Sequence, residues 1–442
     1  MSTPAPTPVP TISNRGMPWR PTTAHFRAVV VSATMMTGAV LFRRADLLVL
    51  ALPVTIIAFW SVATRPTERV TARHTLADPT LREGEATTWA AHVTAVTGME
   101  NVVGVVATGP WLQADPPSGV VSVAVPADAV ADQPVTVSMA LRSIRWGRRA
   151  VGPVAVAATS SWGAFRWVVV DQSRQLTTLP MPAVFDTAAP VMHSNGLVGL
   201  SRSGRAGDGS EFASIRPFQV GDRLRRIHWP RSLRAGTLHV TSTWADQDSH
   251  VVLVIDATSD LGTSGGIDGA ASSLDTTVRA AGAIAEHHLH RGDRVSLRII
   301  GSTGVSRIAA ASGRNQLRRV LDTLALISPG VGPRVPLDMP AESITIMLSP
   351  MVTSMALERA ATFARHGQRV AVIDTLPAHV IDDDDDATTR LAWRIRLLER
   401  DRELRAVREL GVPVIAWSGP GSLDQFLRDL TRRASAPRLV QR

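Results

Sequence analysis

The chain has 442 residues, of which 45% are hydrophobic and 19% charged, and its formal net charge is +9. This composition predicts a folded protein, and the length exceeds the usual size of one hydrophobic core, so more than one domain is expected. Cysteine and lysine are absent, which excludes disulfides, thiol nucleophiles, Cys-ligated zinc and catalytic lysine. The positive charge suits nucleic acid or an anionic membrane surface and does not distinguish between them.

Two uncharged apolar runs follow residues 1–23, a Pro/Thr-rich tail that we predict to be disordered. The runs Ala28–Phe42 and Leu47–Ala63 predict two transmembrane helices within residues 24–64, and a pair of buried core helices is the alternative. Arginines are more numerous outside the pair than in the turn that connects it. The positive-inside rule therefore predicts a multi-pass protein of the cell membrane with its soluble domains in the cytoplasm.

Residues 65–185 show short segments of alternating apolar and polar residues, separated by glycine, proline and aspartate. Several strands at such spacing, without helical periodicity, predict a β-sandwich domain. Three tryptophans in this region, Trp146, Trp162 and Trp167, could form a ligand platform. Buried strand aromatics are much commoner, so we predict that these rings belong to the core.

Residues 246–435 have a different pattern, in which strands alternate with helices. The segment His250–Ala257 is a continuous apolar strand, and the alanine-rich helix after it is predicted over about Ser273–His290. Strands that alternate with helices imply right-handed crossovers, so this domain is predicted to be a doubly wound α/β domain with a parallel sheet. Ligands of such sheets bind beyond the carboxyl ends of the strands.

The end of the first strand of this domain carries a candidate metal site. Asp256, Thr258 and Asp260 place three oxygen ligands on one short loop, as Mg²⁺ would need. The next central strand ends in Ser349, where a carboxylate would be more useful to a metal. The default prediction is therefore no cofactor and a turn that caps the following helix, with Mg²⁺ at this degenerate loop as the alternative.

Two other groups of residues could bind metal ions. His287 and His290 have an i, i+3 spacing that could share a metal, although a histidine-rich helix terminus is the favoured interpretation. The run Asp382–Asp386 could chelate calcium, but it lacks the glycine-bent loop of a calcium site. We therefore predict a solvated connector there.

Residues 186–245 form a predicted linker region in which arginines are interleaved with acids. Ser210, Asp222 and His228 supply the residue types of a catalytic triad, but the strand–turn–helix elbow of such a serine is not recognisable. Arg223 and Arg225 could bind nucleic acid, although the neighbouring acids weaken the attraction for phosphate. The favoured interpretation is a set of carboxylate–guanidinium pairs.

We predict that these pairs join Glu211 to Arg216, and Asp222 to Arg225 or Arg226, and that they stabilise an irregular loop between two domains. Phe218 and Trp229 are predicted to anchor this loop to a core.

The stretch GSEFASIRPFQVGDRLRRIHWPRSLR resembles the signature of the DUF58 family. The family pattern is G-x-E-F, then L-R-x-Y-x-x-G-D, then R-x-I-D-W, then a small residue and arginine. In this chain Phe218 replaces the usual tyrosine of the pattern, and His228 replaces the usual aspartate. The matching residues are Gly209, Glu211, Phe212, Arg216, Gly221, Asp222, Arg226, Ile227, Trp229 and Arg234.

The resemblance implies an N-terminal helical hairpin and a C-terminal module like a von Willebrand factor A domain. It also implies an AAA+ ATPase of the MoxR class as partner, so we expect a membrane-anchored, non-enzymatic adaptor that presents this module to the ATPase during assembly or activation of an envelope complex. The alternatives are a divalent-metal-dependent hydrolase that uses Asp256 and Asp260, and a nucleic-acid-binding membrane protein. The lipid bilayer is the second expected partner, and the sequence leaves the oligomeric state open.

Overall fold

The structure is a computed structural model that describes residues 18–126, 134–181, 206–219, 222–244, 250–301, 307–330, 339–340, 343–366, 368–378, 380 and 386–419. For residues 206–213 and 243–244 it describes the backbone alone. The chain divides into two compact units, Met1–Leu179 and Pro180–Arg442. The second unit therefore begins before the predicted linker region.

The two apolar runs are helices α1 (Thr23–Phe42) and α2 (Ala45–Ala63). Both are long and apolar enough to cross a membrane, and little of either is buried within the chain. The turn between them is tight because Arg43 adopts the left-handed conformation (φ 50°). The chain thus has two adjacent helices of membrane-spanning length near its N-terminus.

Residues 18–22, which belong to the tail predicted to be disordered, have a defined structure, and residues 1–17 of that prediction lie outside the described residues. Trp19 is buried in the core of the first unit, and the short strand β1 (Arg20–Pro21) pairs with a later strand. Thr22 caps α1 by accepting a hydrogen bond from the backbone N–H of His25. A hydrophobic ring and a capping hydroxyl therefore hold this segment to the folded body.

The rest of the first unit is built almost entirely of strands. In chain order they are β2 (Ala72–Leu76), β3 (Thr80–Arg82), β4 (Ala86–Thr94), β5 (Met99–Val106), β6 (Leu112–Asp115), β7 (Val120–Ala124), β8 (Pro134–Ser143), β9 (Gly147–Val151), β10 (Val154–Ser160), β11 (Phe165–Asp171) and β12 (Arg174–Leu179). They form sheets in the orders β1-β11-β10-β5-β7, β2-β4-β8-β6 and β3-β12-β9.

One core joins these sheets. Trp89 on β4 and Val102 on β5 belong to different sheets and are buried in the same hydrophobic cluster. Gly104 on β5 lies so close to the Trp89 ring that a Cβ atom there would be 2.9 Å from it. Buried residues alternate along the long strands β4, β8 and β10, as expected for sheets packed face to face.

The predicted core tryptophans of this unit fall into two groups. Trp146 and Trp167 are buried as predicted, but Trp162 is 64% exposed. Trp162 lies in a short 3-10 helix, Ser161–Gly163, and has a positive φ of 62°. The prediction of burial assumed that Trp162 lies in a strand, whereas it lies in this turn.

The second unit begins with a two-stranded ribbon and continues as an α/β fold. Its elements are β13 (Ala206–Pro217), a 3-10 helix (Leu224–Arg226), α3 (Trp229–Ala235), β14 (His239–Trp244), β15 (His250–Asp256), α4 (Ser273–His290), β16 (Arg294–Ile300), β17 (Arg307–Ala311), α5 (Arg314–Leu324), β18 (Ile344–Ser349), α6 (Ser354–Arg365), β19 (Arg369–Asp374), α7 (Ala387–Glu409) and β20 (Val414–Ala416).

Six of these strands form one sheet in the order β17-β16-β15-β18-β19-β20. Neighbouring strands are parallel except at the edge, where β17 is antiparallel to β16. One face of β15, represented by Val252 and Val254, packs in a cluster with side chains of α6 and α7. Successive side chains of β15 point to opposite faces of the sheet. Helix α4 contacts β15, β16 and β18 and covers the other face.

Candidate functional site

The carboxyl ends of β15 and β18 meet at the centre of the six-stranded sheet, where the strand order reverses. Asp256 is the last residue of β15, and Ser349 is the last residue of β18. Ser349 Oγ donates a 2.6 Å hydrogen bond to Asp256 Oδ2. Thr258 donates to Asp256 Oδ1 from its hydroxyl at 2.7 Å and from its backbone N–H at 3.1 Å. The buried carboxylate is thus held on both oxygens.

The third candidate ligand, Asp260, accepts a hydrogen bond at 3.0 Å from the backbone N–H of Leu274 in the first turn of α4. The next residue of the loop, Leu261, donates its N–H to Ser273 Oγ. These contacts fit the predicted helix cap, because the first N–H groups of a helix have no partner within it.

The fit of Mg²⁺ to this loop follows from these bonds. The oxygens of Asp256 and one oxygen of Asp260 already accept hydrogen bonds within the chain, so fewer of their lone pairs are left for a metal. Among the described residues, no group of three or more His, Cys, Asp or Glu side chains is placed to hold a metal ion. The residues present suit a hydrogen-bonded cap better than an octahedral oxygen site, and the metal site stays a prediction.

The loop after β18 is held by arginines of α7. Arg400 is buried, donates from Nε to the carbonyl of Pro350 at 2.9 Å, and lies with Nη2 2.5 Å from Oδ1 of Asp374. Arg396 donates from Nε and Nη2 to the carbonyl of Val352 at 3.0 and 2.6 Å. These contacts fix the loop beside the ends of β18 and β19. Sequence patterns do not reveal the bonds to Pro350 and Val352, because these partners are more than forty residues from their arginines.

The DUF58-like stretch contains a bidentate ion pair. Arg216 donates from Nη1 and Nη2 to the two oxygens of Asp222 at 2.8 and 2.6 Å, and the N–H of Gln219 adds a bond of 2.8 Å. The Arg216 guanidinium and this N–H hold the pKa of the Asp222 carboxyl below its ordinary value. A carboxylate–guanidinium pair was predicted here, but its arginine is Arg216 and not Arg225 or Arg226.

His228 occupies the N-cap of α3. Its Nδ1 accepts a hydrogen bond from the N–H of Arg231 at 3.2 Å, and its backbone N–H donates to the carbonyl of His239. An aspartate at this position could accept the same hydrogen bond. Helix capping therefore explains why the family pattern has aspartate here. With Asp222 bound to Arg216 and His228 capping a helix, neither is arranged as part of a catalytic triad.

The side chains of α3 differ from the predicted anchor. Trp229 is 59% exposed and Leu233 is 79% exposed, so the prediction that Trp229 anchors to a core is wrong, whereas Phe218 is half-buried. Trp229 and Leu233 are four residues apart and therefore share one face of the helix. Together with the exposed Arg234, they form what we call the α3 surface.

The remaining signature residues lie along the same segment. Gly209, Glu211 and Phe212 belong to β13, whose pairing with β14 shifts register near Phe212, and Arg226 ends the 3-10 helix. Ile227 forms a bridge with Val240 of β14. Gly221 lies outside the described residues, as do Asp382–Asp385, whereas Asp386 caps α7 through the N–H of Thr389.

Comparison with known proteins places this segment in a family. Residues 214–391 match the model of the family "Protein of unknown function DUF58". Over 121 residues the chain is 32% identical to the uncharacterized protein Rv1480 of Mycobacterium tuberculosis strain H37Rv and, to the same degree, to the uncharacterized protein Mb1516 of Mycobacterium bovis. The alignments cover 27% of this chain and 37% of each relative. The resemblance seen in the sequence is confirmed: the chain carries a DUF58 region.

Proposed function

We propose that this protein is a membrane-anchored adaptor that binds a protein partner through the α3 surface. The exposed Trp229 and Leu233 carry this proposal, because large apolar side chains that share an exposed helix face are typical of interaction sites. The exposed Arg234, which follows Leu233 in the chain, favours a partner with acidic groups. We infer that the partner is an AAA+ ATPase of the MoxR class, as the family resemblance implies.

The α/β unit is the second part of the proposal. Counted from β15, its strand order is 3-2-1-4-5-6 with an antiparallel edge, which supports a von Willebrand A-like module. In such sheets ligands bind where the strand order reverses. Here the acidic side chain at that point, Asp256, is hydrogen-bonded to Ser349 and Thr258. Because the carboxylate is held by these structural contacts, we favour a protein-binding module over a hydrolase.

Membrane anchoring is supported by both ends of the helical hairpin. Before α1, the backbone N–H and hydroxyl of Thr22 donate to the carbonyls of Ala164 and Gly163. After α2, Arg65 donates to the carbonyl of Trp19 at 3.0 Å and stacks on Phe165. Both ends thus attach to one folded body, so we propose that α1 and α2 form a two-helix span. The distribution of arginines around the pair favours the cytoplasmic side for the soluble units.

Two measurements test the proposal. Membrane fractions extracted with carbonate at alkaline pH should retain the protein, whereas deletion of residues 23–63 should release it. Detergent extracts of the full chain should yield an AAA+ ATPase on affinity capture. Recovery of the protein in the soluble fraction would contradict the anchoring, and capture without an ATPase under any nucleotide condition would contradict the choice of partner.

A further inference from the structure

A cavity of about 400 Å³ lies at the base of the helical hairpin in the first unit. Strand β1 pairs with β11 so that Arg20 lies directly opposite Arg166. Both arginines line the cavity, together with Val168, which lies two residues along β11 on the same face. The sheet thus places two exposed arginines at one opening.

The charges of this cavity are not balanced within the described part of the chain. Neither guanidinium takes part in a hydrogen bond or ion pair there. Like charges directly opposite each other on paired strands are destabilising, so an anion between them would stabilise the pair. Guanidinium groups match the geometry of phosphate oxygens and bind them with two parallel hydrogen bonds.

The location of the cavity identifies the source of the phosphate. Pro21, Thr22 and Thr23 also line the cavity, and α1 begins at Thr23. The exposed Trp162 belongs to the loop whose carbonyls bind Thr22, and tryptophan is enriched at membrane surfaces. Given the proposed membrane anchoring, on which this step rests, the cavity lies at the depth of the lipid headgroups.

We infer that Arg20 and Arg166 bind the phosphate of an anionic phospholipid headgroup. The walls formed by proline and Val168 accommodate the glycerol and the upper acyl carbons beside α1. A free phosphate ion shares the recognised chemistry, and the experiment below separates the two sources.

The test uses the full chain, purified in detergent and exchanged into nanodiscs of phosphatidylcholine with or without phosphatidylglycerol. Native mass spectrometry of the released protein gives the ratio of bound phosphatidylglycerol to phosphatidylcholine. Arg20→Gln/Arg166→Gln should lower the preference for phosphatidylglycerol about tenfold, the size expected from loss of charge-assisted hydrogen bonds. Arg20→Lys/Arg166→Lys keeps the charge and should retain part of the preference.

A matched control removes the same charge elsewhere. Arg148 and Arg307 are exposed and lie outside the cavity, so Arg148→Gln/Arg307→Gln should keep the preference of the wild type. Equal loss in this control, or a wild type without preference, would overturn the inference. Displacement of the lipid by inorganic phosphate would assign the arginines to free phosphate and overturn the lipid assignment. Carbonate extraction of the membranes from which each variant is purified separates these results from a failure of the anchoring itself.

Discussion

The hydroxyl of Ser349 donates a 2.6 Å hydrogen bond to Oδ2 of Asp256 and joins the carboxyl ends of two neighbouring parallel strands. Both residues are buried. The same hydroxyl accepts a hydrogen bond from the N–H of Met351 at 2.9 Å. Ser349 therefore connects the candidate metal loop to the loop that α7 holds in place.

Removal of the Ser349 hydroxyl should destabilise the second unit. Ser349→Ala leaves a buried carboxylate oxygen and a backbone N–H without this partner, so we expect a loss of about 1–3 kcal/mol in the free energy of unfolding. Urea denaturation in detergent measures this loss. Ser312→Ala, at an exposed position, should change the stability by less than about 0.5 kcal/mol; equal effects of the two variants would argue against the network.

The contact of Gly301 with Thr258 should tolerate no side chain. Gly301 has a φ of 79°, and a Cβ atom there would lie 2.5 Å from the Cα atom of Thr258. We expect Gly301→Ala to lower the free energy of unfolding by more than about 1 kcal/mol. Gly313→Ala is the matched control, because Gly313 has a φ of 84° and open space around it. If Gly301→Ala lowers the free energy of unfolding no more than Gly313→Ala does, the close approach of residue 301 to Thr258 has no effect on stability.

The Arg216–Asp222 pair should make stability depend on pH in the acid range. The pKa of Asp222 is lowered in the folded chain by Arg216 and by the N–H of Gln219. Its contribution is therefore complete above the ordinary aspartate pKa of about 3.9 and is lost as the pH falls through the lower folded value. Asp222→Asn should melt at a lower temperature than the wild type at pH 7, and the difference should shrink toward pH 3. A difference that does not change with pH would contradict the ion pair.

The N-cap of α3 offers a stabilising substitution. Because aspartate is a preferred N-cap residue, His228→Asp should raise the free energy of unfolding by up to about 1 kcal/mol. Melting curves of the variant and of the wild type measure the gain. A destabilised variant would contradict the prediction that aspartate can take over this cap.

The sequence predicts the regular elements of the second unit well. Helix α4 begins and ends at Ser273 and His290 as expected, and β16 and β19 have the bounds that their apolar runs indicate. The apolar period of a long element is a local property, so a single sequence carries it. The antiparallel edge strand β17 was not predicted, because Arg307–Ala311 is short and partly polar.

The candidate site is less predictable because its contacts are distant in the chain. The sequence indicates that Asp256 and Ser349 end strands, but their hydrogen bond depends on the sheet order. The choice of Arg216 over Arg225 or Arg226 depends on how the chain turns after β13. The exposure of Trp229 contradicts the usual burial of tryptophan, and the only local signal is its spacing of four residues from Leu233.

The central claim is that the α3 surface binds an AAA+ ATPase, and affinity capture of that ATPase by the full chain in mild detergent tests it most directly. Trp229→Ser/Leu233→Ser should reduce the captured ATPase about tenfold or more, since exposed anchor residues carry most of the binding energy of an interface, and should leave the melting temperature close to that of the wild type. Leu398→Ser, at a position on α7 that is 69% exposed, should retain capture. Undiminished capture by the double variant would contradict the account.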